Sequence, residues 1–301
     1  MVPVKLGFVG LGKMGKNMAV NLAMKHKDEV MAYDVSSACY RELSEIGIKP
    51  VDDIHQIASA GIIFLSLPNA RIVENLLIGE NGLLEKLSRG QVVADLSTIS
   101  YDSTIKLHNA LMAKGVRFLD APVSGMEARA KDGTLSVMCG GDYETFEYVR
   151  PYFEMMGSNI LFMGGPGCGQ LAKLINQLLF DINAAALAEI LPMAVKLGLD
   201  PEKVGAIVNS GTGRSYASEF FIPRVLKGIF SQGYFMENAY KDLVSAAELS
   251  ANNGIPLPVL SAATSTYQTA LLRGLGGEDK GAMIKVYEEL LGVVFRAGAR
   301  A

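Results

Sequence analysis

The chain has 301 residues, more than one domain usually holds, so two domains and a sizeable core are expected. Half of the residues are hydrophobic, a fifth are charged, and the formal net charge is −3. That balance implies neither a nucleic-acid partner nor attraction to an anionic membrane.

Cys39, Cys139 and Cys168 stand apart, without CxxC spacing or a histidine cluster. They support neither a metal site nor a disulfide framework, and a reducing cytosol suits them. His26, His55 and His108 lie in polar helical or loop contexts, and none is placed as a catalytic base. The opening MVPVKLGFVGLGKMG lacks the basic start and continuous apolar stretch of a signal peptide. No apolar run approaches the ~20 residues that span a bilayer, so a cytoplasmic protein without a membrane partner is expected.

In chain order, a strand is expected over Val4 to Val9, then a glycine turn and a helix through Met18 to Met24. A second strand, Val30 to Tyr33, ends at Asp34, and a helix follows near Ala38 to Ile46. Further strands lie in GIIFLSLP from Gly61, QVVADLS from Gln91, VRFLDAPV and TLSVMCGG, with helices after Arg71 and around Ser103 to Ala113. Such repeated βα units predict an α/β fold with a parallel sheet flanked by helices. Beyond Gly169 the pattern is helical to the end, the last helix being expected over Ala282 to Phe295. The boundary near Gly164 to Gly169 divides the chain into 1–164 and 165–301.

Gly10, Leu11, Gly12, Lys13, Met14 and Gly15 form a G-x-G-x-x-G turn between the first strand and the first helix, the context that gives the motif its meaning. The first glycine permits the tight turn, the second lets a pyrophosphate approach the backbone, and the third lets helix and strand pack closely. Asp34 closes the second strand at the ~20-residue distance where a carboxylate can hold an adenosine ribose. The next residues, Val35, Ser36 and Ser37, supply no arginine for a 2′-phosphate. NAD is therefore favoured, with NADP as the alternative cofactor.

Two later segments carry chemistry. Asp120-Ala121-Pro122-Val123-Ser124-Gly125 ends a strand at the edge where parallel sheets bind ligands. Ser124 and the Ser124-Gly125 amides can cradle a carboxylate, or the segment is a plain turn. In GPGCGQLAKLINQ from Gly165, Leu171, Leu174, Ile175, Leu178, Leu179 and Ile182 recur at the spacing of a single buried stripe. Lys173, Asn176, Gln177 and Phe180 share the opposite face. That face is either a proton-transfer platform or a solvated surface over which the lysine stem lies.

GFVGLGKMGKNMAVNL from Gly7, DLST from Asp95, DAPVSG from Asp120, GTLSVMCGG from Gly133, GPGCGQLAKLIN from Gly165 and YKDL from Tyr240 together resemble the β-hydroxyacid dehydrogenase family, of the 3-hydroxyisobutyrate dehydrogenase type. The resemblance covers nearly the whole chain. It implies an N-terminal Rossmann domain with a doubly wound sheet, a long interdomain helix and an all-helical C-terminal domain that supports homodimers or homotetramers. It also implies hydride transfer between NAD and a small carboxylate substrate, a β-hydroxyacid or its semialdehyde.

By the same resemblance Lys173 is the catalytic acid/base, and Ser124, Gly125, Asn176 and Gln177 bind substrate. Thr98 and Lys241 contact the cofactor, Leu67 and Pro68 line it, and Asp242 accompanies Lys241. SLPNARIVE and SGTGRSYAS resemble the branch acting on hydroxymethylglutarate, whose second carboxylate Arg129 or Arg214 could meet. Two positions depart from the family: Met126 replaces a glycine after Gly125, and Gln177 stands where asparagine is usual. Two alternatives are a dinucleotide-binding sensor or scaffold without catalysis, and an imine-reductase-like enzyme of the same superfamily.

Overall fold

The computed structural model describes residues 4–298. Strands β1 (Leu6–Val9), β2 (Val30–Tyr33), β3 (Ile48–Pro50), β4 (Ile62–Leu65), β5 (Val92–Asp95), β6 (Arg117–Asp120), β7 (Val123–Ser124), β8 (Leu135–Gly141) and β9 (Gly157–Gly164) form one sheet. Its order is β3-β2-β1-β4-β5-β6-β8-β7, with β9 also paired to β8. Strands β3 through β6 are parallel, and β1, β4 and β5 are buried at every residue, as befits strands covered on both faces.

Alternate residues of those strands feed two separate cores. Phe8 and Phe64 meet Met18 and Leu22 of α1 (Gly15–Lys25) on one face. After α2 (Tyr40–Glu45), Val73 and Leu77 of α3 (Ala70–Ile78) and Leu107 and Leu111 of α4 (Tyr101–Ala113) cover Ile63 and Val93 on the other. The expected doubly wound sheet is therefore present. It is not parallel throughout, because β8 runs antiparallel to β6 and β7. The link 125–134, with α5 (Met126–Asp132), is too short for the crossover of a dozen or more residues that a parallel return needs. Helix α6 (Tyr143–Met156) then leads into β9, which lies parallel to β8.

Helix α7 (Cys168–Lys196) runs through the division between two compact units, one ending at Lys173 and the other starting at Leu174. The second unit continues with α8 (Pro201–Ser210), α9 (Tyr216–Val225), α10 (Met236–Asn253), α11 (Pro258–Leu272) and α12 (Ile284–Leu291) around its own apolar core. Its last helix is shorter than expected. A 3-10 turn over Lys280–Met283 precedes α12, and Gly292 stops it in a left-handed C-cap, leaving Phe295 buried beyond the helix.

The predicted face of α7 is only partly right: Leu174, Leu178 and Ile182 pack half-buried against the second unit's core. Ile175 and Leu179 are 60% and 59% exposed, whereas Lys173, Asp181, Ala184, Ala185, Ala188 and Leu191 are buried. Small alanines fill the inner face of the second unit's core, and Phe180 stacks on Phe221 at 5.5 Å. By length and composition α7 could cross a membrane, contrary to the expectation from apolar runs. Its Asp181 instead forms a buried ion pair with Lys280 and accepts from Tyr267 Oη on α11 at 3.3 Å, the pairing a buried charge requires inside a protein core.

Candidate active site

The order of the sheet reverses between β1 and β4, and the C-terminal ends of those strands open the crevice in which such folds hold ligands. Gly10 follows β1 with φ +96°, and a Cβ there would overlap the Ser66 carbonyl oxygen. A Cβ on Gly15 would overlap the Gly10 carbonyl oxygen in the same way. Gly12 differs: it is exposed, and a Cβ would meet nothing within 4 Å. Two glycines therefore serve the packing of the loop itself, and the middle one keeps a surface open to a ligand.

Helix α1 begins after Met14 without a side-chain cap, so its first N–H groups keep their affinity for an anion. At the end of β2, Asp34 accepts from Leu11 N at 2.6 Å and from Ser36 N at 2.9 Å, which fixes the acid beside the loop. Leu67 and Pro68 follow β4, and Leu67 N donates to Ser97 Oγ at 2.8 Å. Thr98 follows β5 and is exposed. Glycine turn, acid and loop ends thus fit a dinucleotide laid across β2, β1, β4 and β5.

The segment 120–125, expected to cradle a carboxylate, lies on the same sheet. Ser124 of β7 is half-buried opposite Ser136, and Gly125 takes φ +142°, where a Cβ would lie 2.8 Å from Arg129 Cβ. Met126 occupies the left-handed region at φ +60°, a conformation that favours the glycine it replaces. Asp120, four residues before Ser124, is buried and accepts from Gly167 N at 2.8 Å and Gln170 N at 2.9 Å. One turn after Gln170 comes Lys173, only 9% exposed. This burial removes the solvated-surface reading of Lys173.

Asn176 is exposed, and Gln177 donates to Asp242 Oδ2 at 3.5 Å, both within the second unit. Lys241 is exposed and reaches Asn238 Oδ1 at 3.3 Å. Arg214 lies 3.7 Å from Glu219 as a solvated pair, and Arg129 is exposed in the last turn of α5. Sequence reasoning missed Asp120, Gln170 and the Asp181–Lys280 pair. The aspartate in LLFDINAA was a visible signal, because an acid within a greasy helix demands a partner.

Burial pushes Asp95 up to about 7 and Asp120 up to about 6, from an ordinary 3.8. Both acids hold a proton more readily folded than unfolded, so their contribution to stability is lost as pH rises through 6 to 7. Lowering the pH from about 7.5 to about 5.5 should therefore add roughly 2 kcal/mol. A melting series should show Tm rising by a few degrees over that interval, and a flat or falling Tm would contradict this account of the buried acids.

Residues 5–165 match the family described as the NAD binding domain of 6-phosphogluconate dehydrogenase. Residues 167–287 match the NAD-binding domain of NADP-dependent 3-hydroxyisobutyrate dehydrogenase. The chain is 39% identical to 2-(hydroxymethyl)glutarate dehydrogenase of Eubacterium barkeri over 297 residues, covering 98% of each chain. It is 36% identical to 2-hydroxy-3-oxopropionate reductase of Escherichia coli, covering 95% of this chain and 97% of that one. Mycobacterium tuberculosis 3-hydroxyisobutyrate dehydrogenase, solved with L-serine, superposes with a TM-score of 0.84 at 27% identity, covering 95% and 99%.

Proposed function

Because the chain belongs to the β-hydroxyacid dehydrogenase family, of the 3-hydroxyisobutyrate dehydrogenase type, and is an NAD(P)-dependent oxidoreductase, we propose that it interconverts a small β-hydroxyacid and its semialdehyde with Lys173 as proton-transfer residue. One observation carries this reading. Lys173 is a buried lysine on a helix whose first turn is bound, through Asp120, to the strand that leads into Ser124 and Gly125.

The nicotinamide supplies the hydride chemistry when bound. In oxidation the neutral Lys173 amine takes the hydroxyl proton as the carbon loses its hydride and the C=O bond forms. In reduction the ammonium returns that proton and stabilises the developing alkoxide. Ser124 Oγ and the Gly125 backbone hold the substrate carboxylate, assisted by Asn176 and Gln177. Gly10, Leu11, Gly12, Met14 and Gly15 cradle the pyrophosphate, Asp34 holds the ribose, and Leu67, Pro68, Thr98 and Lys241 line the cofactor.

Asp34 followed by Val35, Ser36 and Ser37 supports NAD over NADP, since a 2′-phosphate there would face a carboxylate. The identity to an enzyme named for 2-(hydroxymethyl)glutarate supports a dicarboxylic substrate. The outward Ile175, Leu179, Ile190 and Leu197 support a homodimer or homotetramer, and the isolated thiols support a cytoplasmic setting.

A panel of β-hydroxyacids, with 2-(hydroxymethyl)glutarate beside monocarboxylic members, tests the reading by absorbance of the reduced cofactor. We expect turnover with NAD at least about tenfold above that with NADP. Cofactor binding without turnover of any member would replace the enzyme by a dinucleotide sensor.

A further inference from the structure

Gln170 sits at the junction of three loops. Its side chain is 3% exposed on the first turn of α7. Nε2 donates to Ser97 O at 2.7 Å, and Oε1 accepts from Ile99 N at 3.2 Å. Those two groups belong to the peptides on either side of Thr98, so a single amide holds both. The Gln170 backbone N–H is itself held by Asp120 Oδ2 at 2.9 Å. Glycines make room for this clamp, because a Cβ on Gly140 would lie 2.7 Å from Asp120 Oδ1 and one on Gly169 2.8 Å from Oδ2. Ser97 extends the chain of bonds, donating its N–H to Asp95 Oδ1 at 3.0 Å and accepting from Leu67 N at 2.8 Å.

We propose that Gln170 is a positioning residue that fixes the Thr98 loop to the helix carrying Lys173, so that the cofactor-lining backbone and the proton-transfer lysine keep one register. The inference rests on the reading of Thr98 and Lys173 given above. The chemistry of the site selects glutamine. The two partners, a carbonyl and an N–H, require a donor and an acceptor on one planar end group, which glutamine supplies and an ionised glutamate does not. A buried polar group left without its partner is costly, so either loss would let the Thr98 peptides shift. Lys173 lies one helical turn beyond Gln170, and sub-ångström errors at such a platform reach the reacting atoms.

The discriminating variant is Gln170→Glu, with Gln170→Met beside it. Ionised glutamate keeps the bond from Ile99 N and loses the one to Ser97 O; protonated glutamate has both a donor and an acceptor. Asp120 is bonded to this residue's own N–H, Asp95 stands opposite Asp120 in the sheet, and the position is buried. These three favour the protonated form as pH falls, against the pull of the Lys173 ammonium one turn along α7.

NADH affinity, read by fluorescence titration, and kcat with the best hydroxyacid are measured against wild type at about pH 8 and about pH 6. For Gln170→Glu we expect NADH binding about tenfold weaker and kcat about a hundredfold lower at the higher pH, with most of both deficits recovered at the lower. Gln170→Met should show similar deficits and no recovery.

Wild-type NADH affinity in both variants would overturn the proposal. A Gln170→Glu deficit that does not shrink on acidification would overturn it too, as a general packing defect would behave that way. So would failure of Gln170→Glu to fold at the lower pH, where it reproduces the donor and acceptor of the amide. The NADH titration requires no substrate, so it tests Gln170 even if no hydroxyacid in the panel turns over, an outcome that would sink the proposed reaction alone.

Discussion

Lys173→Ala is expected to lower kcat by about 10³-fold while NADH affinity stays within about twofold of wild type. A lysine 9% exposed has given up most of its hydration. Burial alone also fits a structural pair, as Lys280 beside Asp181 shows. What sets Lys173 apart is its place one turn beyond the Asp120-bound start of α7, beside the strand that leads into Ser124 and Gly125. Acid/base groups of this kind contribute about 10² to 10⁴ in rate, and the glycine turn is held by its own contacts, with Asp34 accepting from Leu11 N at 2.6 Å. The loss should therefore fall on the chemical step alone. Lys173→Arg should fail as well, because a guanidinium keeps the charge and cannot give up its proton near neutral pH. Small primary amines added to Lys173→Ala should restore part of the rate if the missing group is a proton carrier. Turnover of Lys173→Ala within tenfold of wild type, at saturating substrate, would remove Lys173 from the mechanism.

Much of the first unit was legible because its signals are local. β2 was read to the residue, and the glycine turn and Asp34 occupy the ends of β1 and β2 as expected. Continuous apolar runs bounded by turn residues leave little else for a chain to do. The elements that escaped, β3, β7, β9, α5 and α6, are mostly short or mixed in polarity. β7 is two residues long and owes its existence to pairing with β8.

Helix α7 shows a different kind of limit. Periodicity places its leucines and isoleucines on one stripe but does not say how that stripe is turned. Leu174, Leu178 and Ile182 meet the core, Ile175 and Leu179 face outward, and the fully buried face is built largely from alanines, with Lys173 and Asp181 on it. Alanine carries a weak hydrophobic signal and a strong packing one, since it lets neighbouring helices approach closely. Long-range pairs were out of reach as well. Asp181 and Lys280 are ninety-nine positions apart, and Gln170 reaches Ser97 across seventy-three. No spacing rule connects such residues. The family resemblance supplied Lys173 and Ser124 yet was silent about Gln170, whose role follows from geometry.

The three glycines of the first turn should separate under substitution by alanine, because they stand in unlike surroundings. A Cβ on Gly15 would overlap the Gly10 carbonyl oxygen, and one on Gly10, at φ +96°, would overlap Ser66 O; backbone atoms cannot swing away as a flexible side chain can. Gly15→Ala should therefore cost about 3 kcal/mol or more and lower Tm in the cofactor-free protein. Gly12→Ala should leave that Tm within about 1 °C, since its Cβ meets nothing within 4 Å and its φ lies outside the glycine-favouring region. Its cost appears on binding instead: the methyl group occupies the space through which the pyrophosphate reaches the backbone, and NADH affinity should fall about a hundredfold. Melting curves with and without NADH separate the two effects, because a saturating ligand raises Tm in proportion to the logarithm of its concentration over Kd. Wild type should be stabilised strongly and Gly12→Ala hardly at all. Equal NADH-induced stabilisation of both would mean that the cofactor does not cross this turn, and the reading of the whole crevice would have to be rebuilt around another strand end.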